Sequence, residues 1–190
     1  KFEIFMIHNF DHIKKRNYKK TFDFLYQLKA KKITKKIGLS VYEKKSILNL
    51  NKEFLKNIDV IQVPINIFDR KFLEKKIINL KKKYKFELHA RSIFLQGLIL
   101  QDKKKLMKYS FIKNEMLNLY KNFFDLNNKE KLDICTNFIN YNQFLIDRVI
   151  IGIKNKNELK KFMISMKKKS RFKFELKKNI NINFIDPRKW

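Results

Sequence analysis

The sequence predicts an α/β fold, a parallel sheet laid out as part of a (β/α)8 TIM barrel, and three observations predict it. Short β-rich runs alternate with longer helical segments along all 190 residues. The strand cores are near-continuous apolar runs, as required when both faces of a sheet are covered. Polar residues gather at the C-terminal ends of the strands, where such a barrel carries its site. They are His8, Ser40, Gln62 with Asn66, Arg91 with Ser92, and Gly152.

The elements follow in order. FEIFMIH opens the chain as a strand, and a helix over 18–31 turns Phe22, Leu25, Tyr26 and Leu28 to one side. KKIGLSVY is the second strand, ending near Ser40, and 46–56 reads as a helix. IDVIQVPINIF is the third strand. A helix over 71–83 turns Phe72, Leu73, Ile77 and Leu80 inward. KFELHARSIF is the fourth strand, followed by LQGLIL and a helical region over 103–124. A helix over 130–144, the strand DRVIIGI and a helix over 158–168 complete the pattern. Strands separated by helices of this length require parallel pairing with crossover connections. The absence of a Gly-rich phosphate loop disfavours a Rossmann fold. No repeat or low-complexity linker intervenes, so residues 1–190 are expected to form one domain. With only three glycines in the chain, each is expected where a side chain would clash or φ must be positive.

The formal charge of +28 raises the possibility of nucleic acid. Composition argues against it: of 46 basic residues only six are Arg, and Lys, Asn, Ile and Phe together make up 104 of 190 residues. All four have AT-rich codons, so genome bias accounts for the lysines, and Arg forks for phosphates are scarce. Weak, salt-sensitive DNA binding is expected, and no specific nucleic-acid partner. Cys135 stands alone, which leaves no disulfide framework or cysteine metal site and fits a reducing, cytoplasmic compartment. No apolar run approaches the roughly eighteen residues of a membrane span, so no membrane partner is expected. His12 and His89 lack companions at ligand spacing, and no metal is expected.

The strings IFMIHN, KKIGLSVY, IDVIQVPINIFDR, ARSIFLQGLIL and DRVIIGIKNKNEL, in this order, resemble the aldo/keto reductases. The closing IDPRKW is similar to the end of a bacterial branch of that family. The resemblance covers nearly the whole chain. It implies that the five strands are approximately the fourth to eighth of the barrel with their helices, the N-terminal barrel units being absent. It also implies NAD(P)H-dependent reduction of an aldehyde or ketone by the full-length parent, with NADPH or NADH as cofactor and a small carbonyl compound as substrate. Members use an Asp, Tyr, Lys and His tetrad, and His8 matches its His. An imidazole N–H can orient a carbonyl or help tune the Tyr.

Ser40 and Gln62, with Asn66 nearby, match the region that holds the nicotinamide carboxamide; a Gln amide both donates and accepts. Where relatives often have Ser-Asn, this chain has Ser40-Val41. Arg91 falls where many relatives place the aromatic that stacks on the nicotinamide, and a planar guanidinium could stack or pair with a phosphate. Ser92, Gln96 and Gly97 match the loop that approaches the pyrophosphate. Gly152, Lys154, Asn155 and Asn157 match the segment at the adenosine phosphate end, although Asn157 could instead cap the following helix. Leu159 stands where NADPH-using relatives often carry Arg. The alternative function is a barrel relative that kept the fold and lost redox chemistry, serving as a binding or scaffold protein. The oligomeric state is not legible.

Overall fold

A computed structural model describes residues 1–13, 18–168, 174–176 and 182–190. The chain packs as two compact units. The first comprises Lys1–Pro64, Arg70–Arg91 and Leu145–Ile150 and contains the whole sheet. Its strands are β1 (Phe2–Ile7), β2 (Thr34–Ser40), β3 (Val60–Pro64), β4 (Glu87–Arg91) and β5 (Arg148–Val149). All pair in parallel in the order β1-β2-β3-β4-β5, so the five expected strands form one parallel sheet. The helices of this unit are α1 (Phe10–Ile13), α2 (Tyr18–Ala30), α3 (Lys44–Leu48), α4 (Lys52–Asn57) and α5 (Lys75–Tyr84).

Side chains alternate across a strand, so register partners share a face. Ile7, Leu39, Ile61 and Leu88 form one lateral row, all buried. The opposite face is mixed, and Ser40, Gln62, His89 and Arg148 form one row on it. Gly38 also lies on that face. A Cβ there would come within 2.7 Å of the Val60 carbonyl oxygen and 2.8 Å of Met6 Cγ, so the strands pair closely only because the residue is glycine.

Two acids repeat one device at the N-terminal ends of strands. Asp59, just before β3, accepts from Lys29 of α2 at 2.6 Å and from the Ile37 N–H of β2 at 2.9 Å. Asp147, just before β5, accepts from Lys81 of α5 at 2.6 Å and from the Leu88 N–H of β4 at 2.7 Å. Each carboxylate pins a helix and the neighbouring strand to the start of its own strand.

Some boundaries differ from the sequence reading. The single helix over 46–56 is two, α3 and α4, because the Asn51 side chain accepts the Glu53 N–H and starts a new helix. The strand DRVIIGI shrinks to two residues; as an edge with one neighbour it stops pairing after the Ile150 N–H donates to the Ala90 carbonyl. The 103–124 region breaks into α6 (Lys103–Leu106), α7 (Asn114–Leu119) and α8 (Lys121–Phe124).

Those three helices belong to the second unit, which comprises Ile65–Asp69, Ser92–Phe144 and Ile151–Trp190. It also holds α9 (Asn128–Tyr141), α10 (Lys156–Lys167) and α11 (Ile182–Ile185). Its core is aromatic: Phe68 stacks on Phe124 and meets Tyr120, Phe123 and Phe184 edge-on. A capping box joins Asn127 and Glu130 at the start of α9. Asp133 then clamps α10, accepting from Ser165 Oγ at 2.5 Å and Lys168 Nζ at 2.6 Å. Cys135 is buried on α9 as a small core residue, and burial pushes its thiol pKa up. Among the described residues no helix is long and apolar enough to cross a membrane.

Candidate active site

The C-terminal ends of the strands in the first unit carry the first group of candidates. His8 follows β1 in a turn, exposed. It is therefore not the buried, carbonyl-bonded histidine that an ordinary structural role would make it. Beside it the Asn9 Oδ1 is buried without a hydrogen-bond partner among the described residues. Ser40 ends β2, buried, and its register partner is Gln62. Gln62 lies one pleat inside β3 rather than at its end, and its carbonyl accepts the Val41 N–H at 3.0 Å. Its half-buried side-chain amide makes no hydrogen bond among the described residues.

Arg91 ends β4, its guanidinium carbon 3.9 Å from the centre of the Tyr42 ring. Tyr42 in turn donates its backbone N–H to Asp11 Oδ2 at 2.6 Å. Lower on the same face, Glu87 is the hub of an ionic group. Its carboxylate meets Lys36 of β2, accepts from His89 Nε2 at 2.8 Å and lies 3.6 Å from Arg148 Nε. Lys36 first, then His89, hold its carboxyl down to about 2. An anion only accepts, so the nitrogen of His89 facing Glu87 is the protonated one.

The remaining candidates lie in the second unit. The loop after β4 is unusual backbone: Ser92, Leu95 and Gln96 have φ of 58°, 45° and 55°, and Gly97 has 86°. Left-handed non-glycine residues are costly and persist only where the surroundings impose them. Here Ile93, Leu95, Leu98 and Ile99 are buried and anchor the loop. Asn66 fastens it as well, donating to the Ser92 carbonyl at 3.3 Å while its Oδ1 accepts the Phe68 and Asp69 N–H groups at 2.9 Å. Lys131, fully buried on α9, donates to the Gln101 carbonyl at 2.8 Å. Burial lowers its pKa.

Gly152, Lys154, Asn155 and Asn157 are all exposed. Gly152 lies beyond the shortened β5, and a Cβ there would meet nothing within 4 Å. The clash-or-φ expectation holds for Gly38 and Gly97 and fails here. Asn155, not Asn157, caps α10 by accepting the Glu158 N–H at 3.0 Å, because the helix starts at Lys156, two residues earlier than expected. The Lys154 N–H donates to Glu158 Oε2 at 2.9 Å.

The aldo/keto reductase family model matches residues 1–174. The chain belongs to the aldo/keto reductase family. Among solved structures it is similar to an aldo-keto reductase from Bacillus halodurans, in the holo form at a TM-score of 0.66 and 17% identity. The apo form of that protein gives 0.65, again at 17% identity. The match covers 87% of this chain but 55% and 56% of those chains, so this sequence spans little more than half the length of that relative. At this identity the likeness speaks for the fold, a partial barrel. No curated protein matches.

Within this family member, sequence reasoning named Asn66 but gave no site role to His89 or Tyr42. Asn66 spends its amide on loop backbone and so organises the loop. An Asn two residues past a strand, followed by Phe-Asp-Arg, carries the signal of a side-chain-closed turn. His89 shares a lateral row with Ser40 and Gln62, which strand alternation alone shows once the register is known. Tyr42 gave no local signal, because its partner Arg91 comes from a distant strand.

Proposed function

We propose that this chain forms the strand-four-to-eight part of an NAD(P)H-dependent reductase acting on an aldehyde or ketone in the cytoplasm. The observation that carries the reading is His8, the family's histidine by match, exposed at the C-terminal end of β1. In such a barrel, residues there face substrate.

The residues of the first unit fit the nicotinamide end of a dinucleotide. Gln62 offers an amide that no described side chain engages, with Ser40 beside it. Asn9 supplies a buried acceptor lacking a donor among the described residues, and Arg91 a planar cation over the Tyr42 ring. In the second unit, the loop with left-handed Ser92, Leu95, Gln96 and Gly97 is the one that matches the family's pyrophosphate loop. Gly152, Lys154, Asn155 and Asn157 serve the adenosine phosphate end, by match to the family. Bound there, the reduced nicotinamide supplies a hydride.

By match to the family, an imidazole N–H of His8 would orient the substrate carbonyl. The family's Tyr and Lys belong to barrel units without a counterpart in this sequence, so the isolated chain is expected to show no turnover. NADPH and NADH oxidation against a panel of aldehydes tests both statements. The whole protein should turn over at least one aldehyde and the 190-residue chain none. A whole protein that binds the nucleotide yet reduces nothing would refute the reductase.

A further inference from the structure

We propose that Tyr42 is a positioning residue that acts through Arg91, holding the guanidinium flat and ready for the dinucleotide. The proposal rests on the assignment of Arg91 to the cofactor made above. It starts from reach. Arg91 on β4 and Tyr42 beyond β2 are separated by β3, so the two side chains together span two strand spacings, about 9–10 Å, to bring the guanidinium over the ring. A side chain of that length normally samples many rotamers. The ring at 3.9 Å from the guanidinium carbon, with the Val41 carbonyl 3.4 Å from Nη2, selects one.

Tyr42 is itself fixed from the other side. Asp11 of α1 accepts its backbone N–H at 2.6 Å, and α1 begins two residues after His8. The ends of β1, β2 and β4 are thereby tied through one chain of contacts, Asp11 to Tyr42 to Arg91. Ordering a long cation before the ligand arrives removes that cost from binding. Tyr42 thus contributes to nucleotide affinity without touching the nucleotide. Its role is planar support, which Phe would also supply and an aliphatic side chain would not.

A double-mutant cycle in the whole protein tests this, with NADPH and NADH dissociation constants read by fluorescence titration and thermal midpoints read alongside. Y42F should bind within about twofold of the wild type. Y42L should bind about five- to twentyfold more weakly, the scale of a lost cation–π contact and a freed side chain. R91M should lose at least as much, and Y42L should add nothing to R91M, the mark of two residues acting as one. Maximal turnover at saturating nucleotide should stay within about threefold in Y42L. If Y42L unfolds, Y42M carries the same comparison. An undiminished Y42L effect on the R91M background, or a Y42L that binds as wild type, overturns the proposal and leaves Arg91 at the cofactor. An R91M that binds normally overturns both.

Discussion

At the N-terminal end of the sheet the acids that border the strands hold cations, whereas toward the C-terminal end three polar side chains, His8, Asn9 and Gln62, have no ion-pair partner among the described residues. Glu3 pairs with Lys35, Asp59 with Lys29, Glu87 with Lys36, and Asp147 with Lys81. Two of these acids also accept a backbone N–H from the neighbouring strand. Toward the other end, His8 is exposed, and among the described residues the Gln62 amide, one pleat inside β3, has no hydrogen bond and the buried Asn9 oxygen has no donor. Of these only the Asn9 oxygen is buried, and a buried acceptor left unsatisfied costs stability unless a ligand or water satisfies it. One end of this sheet is tied together by ion pairs, and the other is the end proposed to bind. In a barrel those are the bottom and the top.

The largest expected effect is chemical. His8→Ala in the whole protein should lower kcat or kcat/KM for carbonyl reduction by roughly 10²-fold or more. The melting temperature should hardly move, since His8 is exposed and no described residue loses a hydrogen bond with it. Nucleotide affinity should also be unchanged. An H8A protein that keeps its turnover would remove the catalytic half of the contrast.

The opposite end should give the opposite signature. Asp59→Ala removes the carboxylate that joins Lys29 to the Ile37 N–H, and should cost about 1–3 kcal/mol in urea unfolding. Asp147→Ala should behave alike, since it breaks the same device around Lys81 and Leu88. Neither should alter nucleotide affinity once the protein is folded. A large change in nucleotide binding by D59A at equal foldedness would blur the division between the two ends.

How far the sequence carried this picture follows from the range of each interaction. The strand strings were legible because buried parallel strands read as unbroken apolar runs. The length of β5 was not, since Ile150, Ile151 and Ile153 continue the apolar run after the pairing has stopped. Periodicity shows what could be buried, not which neighbour is there. The break between α3 and α4 was legible in principle: Asn51 two residues before Glu53 is a helix start signal. His8 and Gln62 came from matching strings, and the register then added His89. The Tyr42–Arg91 contact and the pairs of Glu87 with Lys36 and Arg148 join strands apart in sequence, which no local pattern encodes.

Acid should weaken the paired end selectively. The Glu87 carboxyl sits at about 2 in the folded chain against an ordinary 4.5, held down first by Lys36 and then by His89. A depressed folded value means the unfolded chain takes up the proton first as pH falls. The stabilisation from Glu87 is therefore full above about 4.5 and lost as pH drops toward 2. Partial exposure of the pair and screening by water keep it to about 1–2 kcal/mol. The stability gap between wild type and Glu87→Gln should be that large at pH 7 and should close near pH 2. A gap that stays constant across this range would mean that Glu87 contributes through shape rather than charge.

The smallest effect on stability is expected at Gly152, and it is the sharpest test of the segment following β5. Gly38→Ala would drive a methyl within 2.7 Å of a backbone oxygen, and Gly97→Ala would hold alanine at φ 86°. Both should destabilise the fold, the second by about 1 kcal/mol from backbone strain alone. Gly152 has neither constraint: a Cβ would meet nothing within 4 Å, and its φ is not in the left-handed region. Gly152→Ala should therefore leave the unfolding midpoint within about 0.5 kcal/mol of the wild type. If the glycine is there to let a phosphate approach the backbone, as the match to the family implies, the nucleotide dissociation constant should still rise several-fold in G152A. Stability and affinity then come apart at one methyl group. Should both stay unchanged, the open space at Gly152 serves no ligand, and the adenosine phosphate end of the site must be sought elsewhere.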